Sequence, residues 1–575
     1  MDSPGGALAR DGADAIREAF GAYAAERASI TARAAGRFAR REWADGQRDA
    51  LERLVLRDHM LAAALDRVRA VLGPSARDRT LWRRMKERYA TDVAGCDAEE
   101  VALTFFSSVC RRVLDTIGVE PEVQFLARDW PPPSERSPAP IRAFARDGPT
   151  SRLLATILRA YPLGAPWEDL DGDAALAATE LDAHVREIPG DAPIAGVEMA
   201  APVFYRGKGA YLVGRIRRGG RLSPLVLALR HGRRGVVLDA ALFSPDDASI
   251  VFSFTRSYFH VEVGRPRALV SFLSSILRTK RISELYTALG YNEHGKTELF
   301  RELEDHLERS GERFVPARGA RGLVMSVFTL PGLDVVLKVI RDEFPPPKDV
   351  TRAEIMEKYR HVFRHDRAGR LVDAQEFEHL SFPAERFSPE VLSDLRRTCP
   401  LHVRERGGTI DVAHVYAERR VTPLDLFVRE ADEWTARQAV LDYGQALRDL
   451  AATDTFTGDL LLKNFGVTRH GRVISYDYDE LQRVTDCAFR DLPSSALDGG
   501  EAEEPSFYVG PRDVFPEELL PFLGFQGRLR DFFLQAHGEL LTARWWRETQ
   551  DRLRAGEIAD VFPYREDQRL HHARE

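Results

Sequence analysis

At 575 residues the chain is too long for one growing core, and two large domains are expected. Its 44% apolar and 30% charged residues are ordinary for a soluble protein, with no run of the roughly 18 apolar residues a membrane helix needs. A net charge of −7 gives no bulk attraction to nucleic acid or to an anionic membrane, so neither is expected as a partner.

The first residues, Met1 to Ala25, have no apolar centre and carry acids, which argues against a secretion signal. Cys96, Cys110, Cys399 and Cys487 show no C-x-x-C spacing, so neither a zinc site nor a disulfide framework is expected. A reducing cytoplasm suits them.

The first 120 residues read as helices. Leu51, Leu54, Leu61, Leu65, Val68 and Leu72 form one apolar stripe, and Gly73-Pro74 stops that helix. Asp129 to Pro140 is a proline-rich connector. Beyond residue 200 the pattern changes to strands, at Val203–Tyr205, Ala210–Ile216 and Leu225–Leu229, with turns at Gly207-Lys208-Gly209 and Gly219-Gly220. Leu269 to Leu289 returns to helix and Gly290 ends it.

From about residue 313 the pattern switches again. Leu323–Leu330 and Asp334–Ile340 are expected strands around the Pro331-Gly332 turn, and Ala413–Val421 is another. A long helix follows, Trp434 to Ala452. A β-rich lobe before a helical lobe is the order of a protein kinase, with the nucleotide between them.

The chemistry concentrates in this half. Thr457 to Asn464 has the spacing Asp-x-x-x-x-Asn, at Asp459 and Asn464. In a kinase catalytic loop the Asp accepts the substrate hydroxyl proton and the Asn holds magnesium. Thirteen residues beyond Asn464, after the short apolar strand Val473–Tyr476, comes Asp477, where the second metal-binding Asp belongs. Mg²⁺ or Mn²⁺ suits such oxygen donors. Asn occurs only at 292 and 464, and only eight residues are Lys, so their positions carry weight. Ala317-Arg318-Gly319-Ala320-Arg321-Gly322-Leu323 is a glycine-containing loop whose backbone N–H groups could approach phosphates. Lys338 follows inside the apolar run Val335–Ile340, where a buried ammonium needs a counter-charge that ATP phosphates provide. Glu354 and Glu357, in the next helix, are candidates to hold that lysine.

These residues sit in longer segments, among them ARGARGLVMSVFTLPGLDVVLKVIRD, HDRAGRLVDAQEFEHL, VYAERRVTPLDLF and TGDLLLKNFGVTRHGRVISYDYDE. They resemble the isocitrate dehydrogenase kinase/phosphatase family, and the resemblance covers nearly the whole chain. It implies an α+β chain with a mainly helical regulatory domain containing a β insertion (1–312) and a bilobal protein-kinase-like catalytic domain (313–575). It implies one site that phosphorylates a serine of isocitrate dehydrogenase with ATP, and dephosphorylates it with bound adenine nucleotide. AMP is implied as an allosteric effector.

Carried over by residue, the nucleotide loop is Ala317 to Leu323, the ATP lysine Lys338, the catalytic-loop aspartate Asp459 and the metal ligands Asn464 and Asp477, with Asp479 nearby. The resemblance also marks Asp373, in Asp-x-Gln-Glu-Phe, as an acid that ordinary kinases lack, suited to activating a water. The sequence departs from ordinary kinases in having Thr457-Gly458 before Asp459 and Tyr478-Asp479 after Asp477. No activation-loop signature is visible, so control from the N-terminal domain is expected. Gly499 to Pro516 reads as an exposed loop. A homodimer is an open option. The competing readings are a small-molecule phosphotransferase and a nucleotide-sensing pseudokinase.

Overall fold

The computed structural model describes residues 4–126, 140–188, 192–253, 258–346, 348, 350–458, 460–492, 509–510 and 512–570. Asp459, nearly all of the proline-rich connector and most of the loop expected over 499–516 lie outside them. The chain forms two compact units: Met1–Ser310 with His379–Ser381 and Phe562–Glu575, and Gly311–Glu378 with Phe382–Val561. Among the described residues no helix is long and apolar enough to cross a membrane, and the four cysteines are free thiols.

The first unit opens with helices α1 (Pro4–Arg40), α2 (Trp43–Leu72), α3 (Arg79–Val93) and α4 (Glu99–Leu114). The α2 stripe is buried at Leu61, Leu65, Val68 and Leu72 but not at Leu51, which is exposed. Gly73 ends α2 with φ near +50°, a conformation that suits a residue without Cβ.

Six strands follow: β1 (Ile141–Ala145), β2 (Ile194–Ala200), β3 (Phe204–Arg206), β4 (Gly209–Arg218), β5 (Arg221–His231) and β6 (Val236–Leu242). They form a sheet in the order β1-β2-β4-β5-β6, with β3 paired to β4. Alternation divides its side chains between two cores. Leu212, Ile216, Leu225, Leu227 and Leu229 pack with Leu153, Leu154, Ile157 and Leu158 of the Thr150–Arg159 helix. Tyr211, Val213, Val226 and Ala228 join the other core, which includes the N-terminal helices. Burial on both faces explains the unbroken apolar runs of β4 and β5.

One expectation fails here. Leu269–Leu289 is not one helix but two, α5 (Pro266–Ser274) and α6 (Ile282–Ala288). The break lies at the polar run Thr279-Lys280-Arg281. Lys280 is buried, with its Nζ 2.6 Å from Ser253 Oγ, and Glu284 accepts from the Arg281 backbone N–H at 3.0 Å to start the second helix. Apolar residues resume beyond the run, at Ile282, Leu285 and Leu289, so the two segments read as one helix.

The second unit starts with a sheet of β7 (Val315–Pro316), β8 (Met325–Thr329), β9 (Val335–Ile340), β10 (Ala374–Pro383), β11 (Val403–Arg406) and β12 (Thr409–Arg419). Its order is β10-β12-β9-β8-β7, with β11 on β12. Helix α7 (Arg352–His365) begins with a capping box of Thr351 and Glu354. A helical part follows, with α8 (Leu424–Glu430), α9 (Glu433–Ala452), α10 (Arg528–His537) and α11 (Ala543–Arg554). Strand β13 (Thr422–Pro423) precedes α8, strands β14 (Phe465–Val467) and β15 (Val473–Ser475) lie between α9 and α10, and the three pair in the order β13-β14-β15. One apolar core links Ile340, Tyr359 and Tyr416 to Val440, Leu447, Phe465, Val473 and Trp546. The end of the expected 499–516 loop is not exposed: Asp513-Val514 pairs in parallel with Ala488-Phe489, and Phe515 is buried.

Candidate nucleotide and phosphoryl-transfer site

The register of β9 and β12 determines what Lys338 meets. Lys338 lies opposite Tyr416 and Val336 opposite Glu418, so Lys338 and Glu418 are diagonal neighbours on one face of the sheet. Lys338 Nζ is 2.7 Å from Glu418 Oε2 and donates to the Tyr476 carbonyl at 2.8 Å. Both charged groups are buried, at 7% and 3% exposure. Tyr359 Oη donates to the other Glu418 oxygen at 3.1 Å, and its ring stacks on Tyr416 at 3.8 Å. Burial lifts the Glu418 carboxyl above its ordinary range while Lys338 opposes the lift, and the charge of Asp373 adds to it. A buried ion pair contributes little net stability compared with apolar packing, so this pair suits a site better than a scaffold.

The lysine's expected partners are therefore corrected. Glu354 is committed to the cap of α7, accepting from Thr351 N at 2.7 Å, and Glu357 is exposed beside Arg360. The signal for Glu418 was in the sequence, as one of two acids of β12, directly after the apolar stretch Val415–Ala417. Nothing local said that β12 would lie beside β9.

The Asn464 to Asp477 spacing has a geometric cause. Strands β14 and β15 form a tight hairpin with Phe465 opposite Ser475, closed by Thr468–Arg472 with Gly471 at φ +75°. Asn464 and Tyr476 extend that ladder, with Tyr476 N donating to Asn464 O at 3.1 Å. Asp477 is the next residue, at the open end. The hairpin is anchored from below by Arg370, 3% exposed. Its guanidinium lies 2.7 Å from both Asp442 and Asp449 of α9 and donates to Val473 O at 3.0 Å. Sequence reasoning did not single out Arg370.

A single cavity is lined by residues 316–328, Val336, Lys338, Glu418, Lys463, Asn464 and Tyr476 to Asp479, with others. It thus joins the loop Ala317–Leu323, Lys338, Asn464 and Asp477. Gly319, at φ +109°, comes so close to Pro423 that a Cβ would meet it at 3.0 Å. Arg318 pairs with Glu430 at 2.6 Å and Arg321 with Glu390, all on the exposed side.

Asp477 and Asp479 interact at one edge of this cavity. Burial, and then the neighbouring Asp479, push the Asp477 carboxyl up to about 7. Burial also acts on Asp479, but its hydrogen bond with Asp477 and the Lys348 ammonium hold it below the ordinary range. The Asp477 carboxylate and the Asn464 amide oxygen, which line the same cavity, are oxygen donors that fit a hard divalent cation. Among the described residues no three His, Cys, Asp or Glu side chains form a metal site by themselves, so Asn464 and phosphate oxygens would have to complete it.

Asp373 does not line the cavity. Its segment runs parallel to β15, with Ser475 N donating to Arg370 O at 2.7 Å and Val372 N to Ser475 O at 2.9 Å. Asp373 Oδ2 accepts from Gln375 at 3.2 Å. Asp459 is outside the described residues; on either side, Gly458 and Leu460 have φ of +82° and +50°.

Comparison with known proteins agrees with this architecture. Residues 13–311 match the family model described as isocitrate dehydrogenase kinase/phosphatase (AceK), regulatory domain, and 312–566 match that of the kinase domain. An isocitrate dehydrogenase kinase/phosphatase of Anaeromyxobacter dehalogenans (strain 2CP-C) is 66% identical over 99% of both chains. The protein of the same name from Anaeromyxobacter sp. (strain Fw109-5) is 64% identical, again over 99% of both. That of Xanthomonas campestris pv. campestris (strain 8004) is 41% identical over 97% of this chain and 96% of its own. The chain belongs to the isocitrate dehydrogenase kinase/phosphatase family.

Proposed function

We propose that this chain is a cytoplasmic bifunctional enzyme that phosphorylates a serine of isocitrate dehydrogenase and removes that phosphate. It thereby controls flux between the tricarboxylic acid cycle and the glyoxylate bypass. Two kinds of observation support this reading. One cavity is shared by the glycine loop, Lys338, Asn464 and Asp477, and relatives bearing that activity in their names match from end to end.

In this reading the Lys338 ammonium, held by Glu418 and the Tyr476 carbonyl, faces the ATP phosphates, while the backbone of Ala317–Leu323 covers them. Asn464 and Asp477 would hold Mg²⁺ or Mn²⁺, which when bound neutralises charge on the phosphates. The serine oxygen attacks the γ-phosphorus, the bond to the ADP oxygen breaks, and Asp459 takes the serine proton. In the reverse service a water attacks the phosphoserine phosphorus and the serine oxygen leaves with a proton. Asp373, outside the cavity lining but near enough for its charge to act on Glu418, is the acid assigned to orient that water. ADP or ATP occupies the site in both modes, and AMP acts as an effector on the N-terminal unit.

The test is transfer of label from γ-labelled ATP to purified isocitrate dehydrogenase, followed by a chase with excess ADP. Labelling followed by release of inorganic phosphate is expected. Labelling without release would leave a kinase only, and no labelling would overturn the reading.

A further inference from the structure

Four of the chain's eight lysines gather around this cavity. Lys338 and Lys463 line it. The other two hold the residue beside the proposed metal ligand. Lys348 Nζ bridges two carboxylates, 2.7 Å from Asp479 Oδ2 and 2.6 Å from Glu480 Oε1. Lys358, on α7, donates to the backbone carbonyl of Asp479. Asp479 is 11% exposed and its carboxylate is also hydrogen-bonded to Asp477.

A divalent cation coordinated by Asn464 and Asp477 would find Asp479 within reach of the same site. An ammonium at hydrogen-bond distance from that carboxylate competes for it, because both cations seek the same oxygen lone pairs. We propose that Lys348 is a positioning residue that withholds Asp479 from the metal, with Glu480 setting how strongly. Glu480 draws the ammonium outward toward solvent, and Asp479 draws it inward. The site thereby holds its ion with one protein carboxylate and keeps Asp479 available as a metal-free carboxylate. An ion held by one carboxylate is bound more weakly than one held by two, and it exchanges with its nucleotide more readily. This inference rests on the assignment of Asn464 and Asp477 as metal ligands.

The test is a Mn²⁺ titration of the full chain, followed by electron paramagnetic resonance in saturating ADP. Lys348→Met should bind Mn²⁺ about fivefold more tightly, since Asp479 is released to the ion. Glu480→Gln should bind it more weakly, because Lys348 then rests on Asp479 alone. Lys358→Met removes a neighbouring positive charge without releasing a carboxylate, and its effect should be clearly smaller than that of Lys348→Met. Equal tightening in the two lysine variants would reduce the effect to through-space charge and overturn the proposal. So would unchanged affinity in Lys348→Met, or tightening in Glu480→Gln. The Glu480 variant keeps the proposal testable if Lys348→Met does not fold. Failure of the unaltered chain to bind Mn²⁺ with ADP would instead overturn the metal assignment itself.

Discussion

Each unit contains a sheet with a buried charge, and the two charges have opposite fates. In the first unit Asp239 of β6 is fully buried and closed off by the chain itself. Tyr564 Oη donates to it at 2.5 Å, Arg569 Nη2 lies 3.1 Å away, and Leu570 N donates to its backbone carbonyl at 2.7 Å. In the second unit Lys338 has one carboxylate and one carbonyl as partners and also borders open space. Asp239 therefore fastens a C-terminal segment, whereas Lys338 is stationed at a cavity wall. A buried charge marks a site when its remaining valence faces a cavity, and a fastening when the chain has used that valence up.

Lys338 would be a fastening if its removal cost stability rather than phosphoryl transfer. Lys338→Met should lower phosphoryl transfer about 10²- to 10³-fold, the usual cost of losing a positioned charge at a transferring phosphoryl group, as read from kcat/KM. Its unfolding should change little by comparison, since burial already favours the protonated form of Glu418 and Tyr359 remains as its partner. Asp239→Asn should do the reverse. It should cost about 3 kcal/mol in denaturant unfolding, by leaving Arg569 without its charge partner, and leave the affinity for ATP unchanged.

Much of the second unit was legible because its signals are local. A lysine in an apolar strand, a glycine loop sixteen residues before it and the Asn464–Asp477 spacing all sit within single hairpins. A hairpin's register follows from its own turn, so spacing along the chain becomes distance in space. What stayed hidden was non-local. Glu418 reaches Lys338 only because β12 inserts between β10 and β9, and Arg370 reaches Asp442 and Asp449 from a separate segment. The break between α5 and α6 was hidden for another reason. Both helices present apolar residues to the same core, so the pattern resumes beyond the polar run 278–281 and reads as one helix.

The hairpin anchor gives a pH-dependent prediction. Burial works against the Asp442 carboxylate, but Arg370 and the Val473 N–H outweigh it and hold its pKa below the usual value. A carboxyl depressed in the folded state adds stability in full above its unfolded pKa of about 4. That stability is lost as the pH falls through the folded value. Asp442→Asn should therefore flatten the acid limb of the stability–pH curve, with the largest change above about pH 4. An unchanged acid limb would show that Arg370 does not discriminate between charged and neutral partners.

The smallest expected effect comes from the loop. Gly319→Ala puts a Cβ against Pro423 in a left-handed backbone, and should raise KM for ATP about fivefold, near 1 kcal/mol. Gly322→Ala adds a Cβ that meets nothing within 4 Å and should leave KM unchanged. Equal effects would mean that the loop adjusts freely and that Gly319 is not needed for its shape.

In the proposed reading the loop, Lys338 and the Asn464–Asp479 hairpin face one nucleotide. Hydrogen exchange read by mass spectrometry, with and without Mg²⁺ and a non-hydrolysable ATP analogue, addresses it directly. Joint protection of 317–329, 335–340 and 463–481 at one ligand concentration is predicted. Protection confined to one of these walls, or found only elsewhere in the chain, would contradict it.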